Sequence, residues 1–175
     1  AVSLCDFLAR DRFPFPAAAA ARGLADLHWP LRIEVLDRGP LVIVDAAHND
    51  DSVDCLVGTL AGISAARRRL IFATSKDKDS AELLRRLNAH FEDVVLTQYV
   101  GNPRSVPLAV LESIAAKCLT IPYVRAATPH EAWKLASQRA GADDLICATG
   151  SVFLAAEMRE VVLADRQRAA NPTGS

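Results

Sequence analysis

An alternation of short apolar runs with helical patterns predicts an α/β fold. Four consecutive apolar residues, Leu41-Val42-Ile43-Val44, read as a strand buried on both faces, as strands inside parallel sheets are. Similar runs recur at Leu70-Ile71-Phe72-Ala73, Val94-Val95-Leu96, Tyr123-Val124 and Leu145-Ile146-Cys147-Ala148, with helical patterns such as residues 81–87 between them. Strands alternating with helices imply parallel pairing through right-handed crossovers. Composition agrees, since 51% of the 175 residues are apolar, enough for a sizeable core. The expected architecture is Rossmann-like: a mostly parallel sheet flanked by helices, with an antiparallel hairpin at its start.

The elements follow in order. Residues 1–28 form an alanine-rich helical lead-in interrupted by Pro14 and Pro16, and Pro30 disfavours helix at Trp29, marking a boundary. The opening at Ala1, mid-pattern and without an initiator Met, is that of a fragment or processed product. Over residues 31–36 the pattern alternates, with Ile33 and Val35 on one face and Arg32 and Glu34 on the other. Asp37-Arg38-Gly39-Pro40 supplies a turn, and residues 41–45 run back. With the turn centred on Arg38-Gly39, Leu36 faces Leu41 and Arg32 faces Asp45, at a Cβ separation of roughly 4.5–5.5 Å. Asp79 with Glu82 has capping-box spacing, and Thr128-Pro129-His130-Glu131 adds proline at the first helical position. The body of the domain is expected over 29–164, with 165–175 a polar tail that frays.

Composition also excludes function classes. A net charge of −1 gives no footprint for nucleic acid or an anionic membrane. The four cysteines, Cys5, Cys55, Cys118 and Cys147, lack metal or redox spacing, and Cys55 and Cys147 fall in apolar patterns as buried thiols. A reducing, cytoplasmic setting is expected. Ala17-Ala18-Ala19-Ala20-Ala21 is too short to span a bilayer, and no basic n-region marks a signal peptide. The chain has no G-x-x-x-x-G-K-[ST], no G-x-G-x-x-G, no G-x-S-x-G and no paired-histidine metal motif.

Polar residues cluster where open α/β sheets bind ligands, at the carboxyl ends of strands. Asp45, His48 and Asn49 follow the 41–44 run. Asp45 could pair with Arg32 as a surface salt bridge or share a ligand with it; Asn49, Asp51 or Ser52 could cap the next helix. A metal at Asp45 and His48 has no third ligand at a sensible spacing. Asp77, Lys78 and Asp79, after the 70–73 run, could orient phosphate or carboxylate, or serve as a cap with solvated neighbours. Ser151 follows Gly150 at the start of a helix, either an N-cap or part of an anion site. Rim groups without a phosphate cradle describe a half-site that another domain completes.

Trp29-Pro30-Leu31-Arg32-Ile33-Glu34-Val35-Leu36, Asp45-Ala46-Ala47-His48-Asn49, Asp77-Lys78-Asp79, and Thr149-Gly150-Ser151 with Glu157 and Arg159 resemble the carboxyl-terminal domain of the folylpolyglutamate synthase/dihydrofolate synthase family of Mur-type ligases. The resemblance runs from about Ala17 to Arg159. It implies that residues 1–28 end a central P-loop domain that binds ATP and Mg2+, with a hinge at Trp29-Pro30-Leu31. It also implies nucleotide contacts for Arg32, Asp45, His48 and Asn49, positions facing the interdomain cleft for Asp77, Lys78, Asp79 and Ser151, and catalytic roles there for Lys78, Asp77 and Ser151. The implied partners are L-glutamate, a folate or dihydropteroate substrate, and the amino-terminal P-loop domain of the same chain. The implied chemistry is phosphorylation of a carboxylate by ATP, then amide formation through the acyl phosphate. Three positions depart from the family's pattern: Leu31 where glycine is usual, Ala46 where glycine or valine is frequent, and Asp50 where proline is. A cell-wall peptide ligase of the same superfamily, or a non-catalytic nucleotide-binding module, are the alternatives.

Overall fold

In a computed structural model, residues 16–25 and 29–171 are described, and the chain divides into two compact units, Ala1–Pro30 and Leu31–Ser175. Within the first unit, helix α1 spans Ala17–Ala25. Much of the expected lead-in (1–15 and 26–28, including Cys5 and Pro14) and the last four residues of the tail lie outside the described residues.

The second unit is a six-stranded sheet with helices on both faces. Its strands are β1 (Glu34–Arg38), β2 (Leu41–Val44), β3 (Arg68–Phe72), β4 (Asp93–Leu96), β5 (Tyr123–Arg125) and β6 (Leu145–Thr149), ordered β1-β2-β6-β3-β4-β5. Only the β1–β2 pair is antiparallel; the others are parallel, as the strand–helix alternation requires. Between them run α2 (Asp50–Ala61), α3 (Ser80–Asn88), α4 (Leu108–Cys118) and α5 (Pro129–Ser137), and α6 (Val152–Ala170) follows β6.

Each central strand feeds two cores because successive side chains point to opposite faces. Ile43, Leu70, Phe72, Val94, Leu96 and Leu145 pack with Leu56 and Leu60 of α2, Leu83, Leu84 and Leu87 of α3, and Leu111 of α4. Val42, Val44, Ile71, Val95 and Ile146 pack with Trp133 of α5 and with Leu154, Met158 and Val162 of α6. A fully buried Phe72 or Leu84 contributes about 1.5–3 kcal/mol. The expected caps form: Asp79 accepts the Glu82 N–H at 3.0 Å, and Thr128 Oγ1 the Glu131 N–H at 3.2 Å.

Four expectations need correction. The hairpin turns at Gly39-Pro40 and contains a register shift between Val35 and Asp37, so Arg38 pairs with Leu41 and Glu34 with Val44. The faces of β1 are accordingly the reverse of the alternation: Glu34 and Leu36 point inward and Val35 is 41% exposed. An inward carboxylate is tolerated because Arg159 of α6 reaches it, Nε to Oε1 at 2.9 Å. Cys55 is exposed, since α2 turns Val53, Leu56 and Leu60 to the core; Cys147 is buried. Finally, α6 continues past Ala164 to Ala170, secured where Asp165 accepts the Trp133 Nε1–H at 2.9 Å and Arg166 pairs with Asp37 at 3.2 Å.

Candidate functional site

Neighbouring strands β6 and β3 send their following helices to opposite faces, α6 to one and α3 to the other. At such a switch point a crevice opens beyond the carboxyl ends of the strands. A cleft of about 210 Å³ lies there, walled by His48, by Ser75, Asp77 and Lys78, by Arg104, and by Ser151, Val152 and Phe153.

The first wall leaves β2 under the control of Asp45. This carboxylate is 5% exposed; Oδ2 accepts the Ile33 N–H at 2.8 Å and Oδ1 the Ala47 N–H at 2.7 Å. The expected Arg32–Asp45 opposition is not formed. The hairpin register brings Ile33 opposite Asp45 instead, and Arg32 is exposed with no ion-pair partner among the described residues. The preceding turn is strained, with φ of 62° at Leu31 and 46° at Ile33, a region that costs L side chains roughly 1–2 kcal/mol per residue. Glu34 Oε2 holds it by accepting the Leu31 N–H at 2.9 Å, and the Leu31 carbonyl accepts the Ala46 N–H at 2.8 Å. The glycine usual at position 31 in the resembled family would adopt this conformation freely.

His48 Nδ1 lies 2.8 Å from the Ala46 carbonyl. A carbonyl only accepts, so Nδ1 carries a proton, and Nε2 is the acceptor whenever the ring is neutral. Asn49 caps α2: its Oδ1 accepts the Ser52 N–H at 2.9 Å, while Ser52 Oγ accepts the Asn49 N–H at 3.1 Å. The choice left open between cap and ligand is settled for that oxygen, which serves the helix.

The second wall follows β3. Asp77 stands between two cations, with Lys78 Nζ 3.1 Å from Oδ2 and Arg104 Nη2 3.0 Å from Oδ1. The hydrogen bond from Lys78, reinforced by Arg104, holds the Asp77 carboxyl below its ordinary value of 3.8. Asp79 is turned away as the α3 cap.

The third wall depends on Gly150. At φ +108°, its missing side chain leaves room for the neighbouring strand; a Cβ would stand 2.5 Å from the Ala73 carbonyl oxygen and from Phe72 Cε2. That close approach delivers Ser151 to the cleft, where its Oγ accepts the Phe153 N–H at 3.2 Å.

Arg104 was not singled out by sequence reasoning. It arrives on the loop after β4, tied to the β3 loop where Lys76 N–H donates to the Arg104 carbonyl at 2.9 Å and Ser75 bridges to Ser105. Tyr99 supports the same loop, its hydroxyl 2.8 Å from Ser75 Oγ and its ring 5.4 Å from that of Phe153. No local spacing announces such a residue, although an arginine in a Pro- and Gly-containing loop after a parallel strand is the available signal.

Of the seven residues named from sequence, His48, Asp77, Lys78 and Ser151 line the cleft, whereas Arg32, Asp45 and Asn49 do not. Two cations around one carboxylate leave a surplus positive charge, suited to a carboxylate or phosphate. A larger hollow of about 550 Å³, bordered by Arg38, Ala65 and Asp143, sits at the opposite end of the sheet, away from the strand ends that bind ligands in this architecture. Among the described residues no group of His, Cys, Asp and Glu could hold a metal ion, and no helix is long and apolar enough to cross a membrane.

Comparison with known proteins bears on this arrangement. The family described as "Mur ligase, glutamate ligase domain" matches residues 31–152. Folylpolyglutamate synthase of Lacticaseibacillus casei is 31% identical over 154 residues, covering 88% of this chain and 34% of the relative. The structure of E. coli FolC in complex with DHPP and ADP superposes with a TM-score of 0.79 at 25% identity, over 91% of this chain and 37% of the other. A UDP-N-acetylmuramoyl-L-alanyl-D-glutamate–2,6-diaminopimelate ligase of Solibacter usitatus is 37% identical over 98 residues, 52% of this chain and 19% of the relative. The chain spans about a third of the length of the L. casei relative.

Proposed function

The chain belongs to the Mur ligase family by its glutamate ligase domain, and on that premise we propose that it is the carboxyl-terminal lid of an ATP-dependent ligase that adds L-glutamate to a folate or dihydropteroate carboxylate. The observation that carries this reading is the cleft with surplus positive charge at the β6–β3 switch point. Residues 1–28 then end a central P-loop domain, the partner that binds ATP, in a reducing cytoplasm.

In the proposed reaction a substrate carboxylate oxygen attacks the γ-phosphorus of ATP, and the bond to ADP breaks. Glutamate's amine then attacks the acyl carbon and loses a proton, and phosphate leaves with the C–O electron pair. Lys78 and Arg104 hold the anionic end of glutamate, Asp77 fixes the two cations in place, and Ser151 sets the third wall. Positioning of this kind, with water excluded by closure, is the main contribution a lid can make. Arg32, exposed and unpaired among the described residues, reaches for the nucleotide. Asp45 and Asn49 serve that side by shaping the Leu31–Ile33 turn and the start of α2, and His48 presents Nε2 as an acceptor. Magnesium, which such phosphoryl transfer uses, is assigned to the amino-terminal domain, because among the described residues no group of His, Cys, Asp and Glu suits it.

The test is glutamate-dependent ADP release by the full-length protein offered dihydropteroate, a reduced folate or a muramoyl nucleotide. Turnover with a pterin, with a raised glutamate KM in Lys78→Ala, supports the reading, and this chain alone should show none. Turnover only with the muramoyl compound selects the cell-wall branch, which the Solibacter relative favours over half of this chain. Silence of active, folded protein with all three selects a non-catalytic module.

A further inference from the structure

Three residues before Arg104, the loop after β4 is gripped from α6. Glu157 Oε1 accepts the Gly101 N–H at 2.7 Å and the Val100 N–H at 3.0 Å, and Oε2 accepts the same Val100 N–H at 3.0 Å. A Cβ at Gly101 would lie 3.0 Å from Oε1, so a side chain there would push the carboxylate by a few tenths of an ångström. Among the described residues Glu157 forms no ion pair, so its charge is spent on these two peptide groups. Stability of the core does not ask for this: Val100 is 68% exposed, and water could solvate its backbone.

From the β3 loop, Lys76 Nζ donates to the Pro103 carbonyl at 2.9 Å, and within the loop after β4 Asn102 Oδ1 accepts the Arg104 N–H at 2.9 Å. Only Asn102 and Pro103 separate the anchored Gly101 from Arg104, whose guanidinium meets Asp77. Glu157 also stands one and a half turns along α6 from the residues that form the third wall, so one helix sets both Ser151 and the Arg104 loop.

We propose that Glu157 is a positioning residue: by holding the Val100 and Gly101 peptides it sets where Arg104 stands, and thereby the affinity of the cleft for the carboxylate of the incoming amino acid. This step rests on the glutamate reading of the cleft. The charge-assisted form of the grip predicts that Gln, which keeps one acceptor oxygen, substitutes in part and Ala does not.

Two measurements test it. In this chain, amide exchange at Val100 and Gly101 should accelerate about tenfold or more in Glu157→Ala, less in Glu157→Gln, with the β6 amides unchanged. In the full-length protein, Glu157→Ala and Arg104→Ala should each raise the glutamate KM about tenfold with kcat nearly kept, and the double variant should be no worse than Arg104→Ala. Unaltered exchange beside a raised KM in Arg104→Ala overturns the role of Glu157 alone, as does a double variant whose effects multiply. An unchanged KM in Arg104→Ala overturns the glutamate reading itself, and the role of Glu157 in affinity with it.

Discussion

At the amino end of β3, the Arg69 guanidinium lies 2.5 Å from Asp93, donates to the Arg139 carbonyl at 2.8 Å and stands 3.8 Å from Asp144. Asp144 in turn accepts the Gly141 N–H at 2.9 Å. Just past the carboxyl end of the same strand, Lys78 and Arg104 share one carboxylate, and Lys76 reaches only a carbonyl. Thr74 Oγ1 and Thr97 Oγ1 are buried there with no partner. At the first end Arg69, Asp93 and Asp144 are consumed by the fold, the Arg69 Nε excepted; at the second, cations exceed the anions that face them. A buried charge left over is expensive, so an end that must only be stable neutralises itself. Surplus charge persists at partly exposed residues, where the cost is low and a ligand can complete the set.

The most damaging way to break this contrast is through the rim's backbone. Gly150→Ala forces a Cβ to within 2.5 Å of a carbonyl and a ring at φ +108°, where no rotamer change helps. We expect a loss of about 4 kcal/mol, from overpacking and left-handed strain together, read as a lower urea midpoint. A midpoint within experimental error of wild type would mean that the strand ends are less tightly joined than described. Next, Arg69→Leu should cost about 3 kcal/mol, because it strands Asp93 and Asp144 near each other without a cation. It should leave ligand affinity alone, and a changed glutamate KM in that variant would refute the division between the two ends.

How much of this was legible beforehand differs by region for the same physical reason. The central strands were readable because burial on both faces leaves an unbroken apolar run, as in Leu41–Val44 and Leu145–Thr149. The Asp79 and Thr128 caps were readable because their partners lie three residues away, whereas Asn49, Asp51 and Ser52 were equal candidates for the α2 cap until the Asn49–Ser52 bonds singled out Asn49. β1 was misread because its inward Glu34 is neutralised by Arg159, 125 residues distant, and no local pattern reports such a partner. The register failed for a related reason: a one-residue shift moved Asp45 from Arg32 to the Ile33 backbone. Arg104 escaped notice since only tertiary packing brings its loop to Asp77.

Asp45 sharpens the comparison, because it sits on the functional rim yet is consumed like an amino-end charge. Both its oxygens accept peptide groups, the buried Ala47 N–H and the half-buried N–H of the strained Ile33. Asp45→Ala should therefore lose about 2 kcal/mol of stability, the amount expected when charge-assisted bonds to backbone are removed. A loss of activity in that variant would then follow from the altered turn, and Arg32→Ala should reproduce the loss without the drop in stability. Full stability of Asp45→Ala would instead make it a ligand-facing group.

The smallest effect expected is at Asp77, which is exposed and holds its two cations in water. Lys78 first, and Arg104 with it, lower the Asp77 pKa from 3.8, so the folded value lies below the unfolded one. The favourable contribution is then complete above pH 3.8 and disappears as pH falls through the folded value. A carbon-detected titration of the Asp77 carboxyl should show its midpoint below 3.8 and rising toward it in Lys78→Ala. Through the neutral range the Asp77 carboxylate consequently keeps its charge, and an acid limb of activity above pH 5 would have to come from another group. A midpoint above 3.8 in the wild type would place Asp77 outside the influence of both cations, and the proposed anion site would lose the arrangement it rests on.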